Sequence, residues 1–280
     1  MMNPPGDRSI DLETIEIELL LEGVFRLYGY DFRNYAPASL KRRIWHNIRL
    51  ENLNTISGLQ EKILHDPACL ERFVLNLSVN ITSMFRDPKF FLALRTHVVP
   101  LLRTYPFIRI WHAGCATGEE VYSMAILLQE ENLYHRCRLY ATDINEVVIK
   151  KAKAGIFSLE LMQEYTQNYL QAGGKQSFSE YYTAAYNNAI FRSSLKENMV
   201  FSQHNLVTDS SFNEFHLILC RNVLIYFNQE LQANVYQLFH DSLVNFGILG
   251  LGKPETLKFT SYEQQYQQLV ANEKLYRRVS

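Results

Sequence analysis

Cysteine is scarce in this 280-residue chain. Cys69, Cys115, Cys137 and Cys220 stand far apart, with no CxxC and no HxxxH to complete a pair. That spacing offers no zinc pattern and no disulfide framework, so the four are expected as small hydrophobes in or near the core and no metal site is expected. No stretch approaches the ~18 consecutive apolar residues of a membrane span. Met1 to Ser9 is polar, with Pro4, Pro5 and Gly6, and lacks the apolar segment of a signal peptide. The expected location is cytoplasmic, with no direct membrane insertion. Excess charge is missing as well: 28 basic against 29 acidic side chains leave a net charge of −1, which argues against wholesale nucleic-acid binding. No Ser/His/Asp or Cys/His set, repeat or low-complexity tract is evident. What the chain does hold is 47% hydrophobic and 20% charged residues, enough for a packed core and too apolar for general disorder. Its length fits one large or two modest domains.

The pattern changes partway along. From Leu12 to about Leu102 the signals are helical. Leu19, Leu20, Val24, Leu27 and Tyr28 recur at helix spacing up to a stop at Gly29. Leu40, Ile44 and Ile48 stripe a second helix, with Lys41, Arg42, Arg43, His46 and Arg49 on its other side. Ser57 and Asp66 read as caps of two more short helices. From Phe107 onward strands and helices alternate. Ile108–Trp111 runs into a glycine turn and a helix from Glu119 to Glu131. Cys137–Ala141 leads to Asp143 and a helix over Glu146–Ala154. Further strands are expected at Met199–Ser202, Phe215–Cys220, Gly247–Leu251 and Leu275–Val279, with a helix over Gln229–Val244. Such alternation means a parallel sheet covered on both faces. Gly155–Asn198, long, polar and rich in tyrosine, reads as an insertion.

Three places carry chemistry. The first βα turn, His112-Ala113-Gly114-Cys115-Ala116-Thr117-Gly118-Glu119-Glu120, has GxxxG spacing where a dinucleotide fold has GxGxxG. Acidic residues at the helix start repel a pyrophosphate and suit a cationic ligand such as S-adenosylmethionine, although they are also ordinary partners of a helix dipole. Asp143 closes the second strand, either as an acceptor for a ribose diol or as a helix cap. Cys220-Arg221-Asn222-Val223-Leu224-Ile225-Tyr226-Phe227 breaks a buried strand at the end where open α/β sheets place ligands. In the helical half, Val24–Leu50 carries six basic residues against Asp31 alone. Arg42, His46 and Arg49 share one helical face, read either as a docking surface for an acidic partner or as a solvated face.

These segments, with Asn80-Ile81-Thr82-Ser83-Met84-Phe85-Arg86, Thr117-Gly118-Glu119-Glu120-Val121-Tyr122-Ser123 and Ala141-Thr142-Asp143-Ile144, together resemble the CheR family of chemoreceptor glutamate O-methyltransferases. The resemblance runs in order along nearly the whole chain. It implies an α/β fold: a Rossmann-like class I methyltransferase domain with a small inserted β-subdomain, preceded by an all-α domain. On the sequence this places a flexible tail at 1–9, the all-α domain at 10–78, a linker and connecting helix at 79–104, and the methyltransferase domain at 105–280 with 155–198 inserted. It implies S-adenosylmethionine as cofactor, S-adenosylhomocysteine as product, and the cytoplasmic domain of a chemoreceptor as partner. The implied cofactor contacts are Asn80, Thr82, Arg86, Ala113, Glu119, Asp143, Ile144, Asn205, Leu206, Arg221 and Asn222. Arg86 and Tyr226 are implied to position the substrate carboxylate and the methyl group. The receptor's methylated region is an acidic helical bundle, complementary to Arg42, His46 and Arg49 as substrate contacts. The chain departs from the family at Val121 (usually Pro), at His112 and Cys115 (usually small) and at His216 (commonly Asp). Gly252-Lys253-Pro254-Glu255 stands in place of a GHSE-like segment. The alternatives are a cofactor-binding regulatory module and a methyltransferase of another substrate class.

Overall fold

A computed structural model describes residues 11–77 and 82–279. The tail expected over residues 1–9 lies outside them. The chain divides into two compact units, Met1–Val79 and Asn80–Ser280.

The first unit is all helical: α1 (Leu12–Tyr28), α2 (Pro37–Leu50), α3 (Ile56–His65) and α4 (Pro67–Leu77). Local chemistry sets their ends. Asp11 accepts from the Glu13 amide at the start of α1, and Gly29 ends that helix in the left-handed region at φ 77°. Asp66 caps α4 through the Ala68 amide, 2.9 Å away. The cap of α3 is Thr55, whose Oγ1 accepts from the Gly58 amide at 3.0 Å, and not Ser57, which lies inside the helix. Leu20, Leu21, Val24, Leu40, Ile44, Ile48, Ile56, Leu59, Ile63 and Phe73 fill the core. Leu19 and Leu27 are more than half exposed, because the buried stripe of α1 passes through Leu21 instead. Arg43 is a second departure from the simple stripe: it turns inward and donates to the Leu77 carbonyl.

The second unit opens with a helical run of α5 (Pro88–Ala93), a π turn over Leu94–Val98 and α6 (Val99–Leu102). The expected connecting helix therefore lies within this unit. There follow β1 (Ile108–Ala113), α7 (Glu119–Glu130), β2 (Cys137–Asp143), α8 (Glu146–Ala154), β3 (Ile156–Ser158), α9 (Met162–Gln171), β4 (Tyr182–Ala185), β5 (Asn188–Phe191), β6 (Met199–Gln203), β7 (Phe215–Cys220), α10 (Gln229–Ser242), β8 (Leu243–Leu251), β9 (Tyr266–Val270) and β10 (Glu273–Arg278). The main sheet has the order β6-β2-β1-β7-β8-β10-β9, with β10 antiparallel to both neighbours and the other pairs parallel. This is a Rossmann-like arrangement. The insertion forms its own antiparallel sheet, β3-β5-β4, beside α9.

β7 is buried at every position and reads as a continuous apolar run, as an interior parallel strand must. Trp111 of β1 is fully buried against Phe215 and Phe239, and its indole N–H is satisfied by Thr142 Oγ1 at 2.8 Å. The four cysteines are buried and unbonded to one another. Among the described residues no helix is long and apolar enough to cross a membrane. One boundary differs from the periodicity: α10 stops at Ser242 and β8 begins at Leu243. The apolar Leu243-Val244 continues the helical spacing, but Leu243 pairs with Phe215, and the strand then absorbs a register shift before Ile248 pairs with Leu217. Phe246, at φ 66°, takes up that irregularity.

Candidate functional site

The strand order reverses direction between β1 and β7, and their carboxyl ends form the switch point at which open α/β sheets bind ligands. The first loop is built for close approach there. Gly114 lies at φ 78°, and a Cβ on it would stand 2.5 Å from Val223 Cγ2 in the loop after β7. Gly118, at φ 97°, brings α7 against α8, where a Cβ would meet that of Ala152 at 2.9 Å. The two glycines of GxxxG thus have separate tasks, one facing the switch point and one packing helices.

Asp143 ends β2 and is 8% exposed. Its Oδ2 accepts from the Ala116 amide at 2.9 Å and its Oδ1 from the Asn145 amide at 3.0 Å. The cap of α8 is Asn145, which accepts from Val147, and the Ile144 amide adds to the bonds on Asp143, whose roughly four acceptor sites still leave room for a further donor. Burial pushes its carboxyl above the ordinary range, and its backbone amide bonds pull the other way.

Glu119 and Glu120 open α7 and have different surroundings. Glu119 is 5% exposed; Thr117 Oγ1 donates to its Oε2 at 2.7 Å, and the Tyr165 hydroxyl lies 3.5 Å from its Oε1. No described cation pairs with it, and burial pushes its carboxyl up. Glu120 is already engaged. His112 Nδ1 lies 2.9 Å from its Oε1 and Arg221 Nη1 3.1 Å from its Oε2. Burial opposes its charge, but His112 and Arg221 together hold its carboxyl below the ordinary value.

Arg221 joins the site to Arg86. Its Nη2 donates to the Arg86 carbonyl at 3.0 Å and to Asp87 Oδ2 at 2.8 Å, while its guanidinium lies over the Phe90 ring. The Arg86 carbonyl is therefore linked through one guanidinium to the carboxylate next to Glu119. Arg86 is half-buried and flanked by Phe85 and Asp87, both in the left-handed region at φ 51° and 57°. Ser123 Oγ accepts from the Phe85 amide at 2.9 Å, and Asn168 Nδ2 donates to the Met84 carbonyl at 3.1 Å. Two strained residues held from three sides around an arginine are the kind of local cost that functional sites carry.

The other expected residues line the same strand ends. Ala113 is the last residue of β1, paired with Thr142. Ile144 is half-buried and its carbonyl accepts from Gln203 at 2.9 Å. The His204 amide donates to the Asp143 carbonyl at 3.1 Å, which carries half-buried Asn205 and Leu206 beside β2. Asn222 sits at φ 60° just past β7, and Tyr226 ends a single helical turn, Leu224–Tyr226. Thr82 is half-buried, and Asn80 lies outside the described residues. Arg42, His46 and Arg49 belong to the first unit, where all three are exposed on α2. One participant had no sequence signal of its own. Glu255, known only as the last residue of a family-like segment, is buried and bonded to the amides of the loop after β7.

Two family models match the chain: the CheR methyltransferase all-alpha domain over residues 15–78 and the CheR methyltransferase SAM-binding domain over residues 80–274. A Pseudomonas putida protein described as putative methyltransferase Cher3 is 52% identical over 264 residues, 94% of this chain and 97% of its own length. A chemotaxis protein methyltransferase of Listeria monocytogenes is 30% identical, over 84% of this chain and 87% of its own. Another, from Salmonella typhimurium, is 30% identical over 95% and 92%.

Proposed function

This chain is a member of the CheR methyltransferase family, and we propose on that premise that it methylates glutamate side chains on the cytoplasmic domain of a bacterial chemoreceptor. The product is a glutamyl methyl ester, and the reaction takes place in the cytoplasm. The methyl donor is S-adenosylmethionine, which when bound supplies an electrophilic methyl group on a sulfonium. The observation that carries the reading is the linkage of Arg86, through Arg221, to the strand end that also bears two buried carboxylates without cation partners among the described residues.

The residues fit that donor. Asp143 has acceptor capacity left for a ribose hydroxyl. Glu119 is a buried carboxylate that a ligand ammonium would keep ionised. The acceptor needs no base, because a glutamate of ordinary pKa, ~4.3, is ionised at neutral pH. Bound S-adenosylmethionine would pass its methyl group from sulfur to that carboxylate oxygen, a transfer that asks no residue of the chain to move a proton. The task left to the protein is to hold the carboxylate and strip water from it. Arg86 grips one oxygen, and Tyr226 narrows the slot.

Incubating the chain with methyl-labelled donor and receptor-containing membranes tests this directly. A base-labile label on the receptor, lost when its cytoplasmic glutamates become glutamine, is expected. Cofactor binding without any label would leave a regulatory module, and a base-stable label would mean a different acceptor.

Glu119 makes cofactor binding pH-dependent with a definite sign. Its carboxyl is raised above 4.5, so the proton must leave before a cation can pair with it. Affinity for S-adenosylmethionine should therefore rise with pH through that raised value and level off above it. Glu119→Gln should flatten most of this rise, any remainder belonging to Asp143, and lower the plateau about tenfold. Calorimetric titrations at mildly acidic and neutral pH measure both; an unchanged slope in the variant would exclude Glu119.

Substrate docking is assigned to the basic face of α2. Lys41 is paired with Glu13, Arg26 with Glu22, and Arg33 with Glu22 and Asp31. Arg42 and Arg49 form no ion pair with a described residue and remain available to an acidic helix. Neutralising both to Gln is expected to raise the receptor KM several-fold at low salt, flatten its salt dependence and leave kcat within about twofold. An unaltered salt slope would mean that this face is only solvated.

A further inference from the structure

We propose that Glu255 is a positioning residue for methyl transfer: its carboxylate gathers the backbone amides where β7 and β8 diverge and thereby sets the course of the Asn222–Tyr226 loop. The inference rests on the methyl-transfer reading above and adds to it a residue that does not touch either substrate.

β7 and β8 run parallel up to the pair Cys220 and Leu251. Beyond that pair the sheet offers no acceptors, and the chain turns sharply, with Asn222 at φ 60°. The amides of residues 222, 223, 224 and 252 would otherwise be left over in a half-buried place. One side chain serves all four. Glu255 Oε1 accepts from Val223 at 2.9 Å and Leu224 at 2.8 Å; Oε2 accepts from Asn222 at 3.1 Å and Gly252 at 2.6 Å. The Glu255 amide donates back to the Gly252 carbonyl at 3.0 Å, closing the turn that aims the side chain at the loop. The residue is 4% exposed, so water does not compete for these bonds. A carboxylate saturates such a cluster because both its oxygens accept and its charge strengthens each bond.

The loop so held lies between the two halves of the reaction. Val223 is the residue against which Gly114 of the first loop is packed. Leu224 begins the turn that ends at Tyr226, whose amide donates to the Val223 carbonyl at 3.1 Å. A shift at residues 222–224 therefore moves Tyr226 relative to the cofactor loop without disturbing the paired part of the sheet.

Glu255→Gln keeps the shape, but one oxygen becomes an NH2 that cannot accept from the pair of amides it faces, Val223 and Leu224 or Asn222 and Gly252. Turnover should be measured per site that binds S-adenosylhomocysteine, with the stoichiometry taken from calorimetry. We expect kcat per binding-competent site to fall at least tenfold, with receptor KM changed less than threefold. Gly252→Ala is the second variant: its Cβ would stand 2.7 Å from the Asn222 amide nitrogen and 2.8 Å from Glu255 Oε2, wedging the cluster open with the carboxylate still present. It should show the same loss, and it serves if the first variant is too unstable to assay. A merely structural Glu255 would lower the binding stoichiometry and the melting temperature while leaving kcat per competent site within twofold, and that result overturns the proposal. If the native chain binds S-adenosylhomocysteine yet methylates no glutamate, it is the methyl-transfer reading that fails, and this role falls with it.

Discussion

Asp143→Asn is expected to weaken binding of both S-adenosylmethionine and S-adenosylhomocysteine about a hundredfold. The size follows from how the carboxylate is used. Its oxygens already accept from the backbone amides of Ala116 and Asn145, with Ile144 adding to them, which fixes the side chain at the switch point and still leaves acceptor capacity for a ribose hydroxyl. Hydrogen bonds to a charged acceptor contribute ~1.5–3 kcal/mol each. In the variant one oxygen becomes an NH2, which cannot accept from a hydroxyl, and the remaining oxygen is uncharged. A loss of ~3 kcal/mol corresponds to about two decades in affinity. The NH2 must also face at least one of these backbone amides, so the fold should weaken by ~1–3 kcal/mol. The two effects separate cleanly: calorimetry at a temperature where the variant is folded reads affinity, and thermal unfolding reads stability. An affinity within threefold of the native value would show that Asp143 only braces the turn at Ala116 and that the ribose is held elsewhere.

The strand ends that carry this site were readable in the sequence because each is a local signal. A short apolar run stops at Gly114, at Asp143 or at Arg221-Asn222, and both spacing and residue type survive without knowledge of the fold. The sheet's far side was harder. β9 reads Tyr-Gln-Gln-Leu-Val, with no period of two, in a polar tail, and the beginning of β8 continues the helical spacing of α10 through Leu243-Val244. The strands of the insertion are three or four residues each, too short for a period to register. What no local pattern could reveal is pairing across the chain. Arg221 meets Glu120 across 101 residues and Asp87 across 134. The two adjacent glutamates look alike in sequence, yet Glu120 is consumed by His112 and Arg221 while Glu119 meets only the hydroxyls of Thr117 and Tyr165 among the described residues. Glu255 is the extreme case, since its partners are amides, which have no sequence identity at all.

Arg86→Ala should lower kcat/KM for receptor methylation by about 30- to 150-fold. The geometry gives Arg86 an unusually fixed backbone. Phe85 and Asp87 both occupy the left-handed region, a strain of ~1–3 kcal/mol each that persists only where the surroundings enforce it. Here Ser123, Asn168 and Arg221 do so, through the Phe85 amide and the carbonyls of Met84 and Arg86. A flexible arginine on a surface loop would need none of this. A fixed one offers a planar fork that holds a carboxylate in one orientation, worth ~2–3 kcal/mol when it acts on the reacting group. Truncation at Cβ leaves these backbone bonds in place, and a melting temperature measured beside turnover separates any loss of fold from the loss in the chemistry. Arg86→Lys keeps the charge without the fork and should recover only part of the rate. Arg86 also matches a cofactor contact of the family, so affinity for S-adenosylhomocysteine must be measured beside turnover. A drop in affinity of less than tenfold, with the larger loss in kcat, assigns the main role to the acceptor carboxylate. Equal losses in both would make Arg86 a cofactor contact alone, and near-native turnover would remove it from the mechanism.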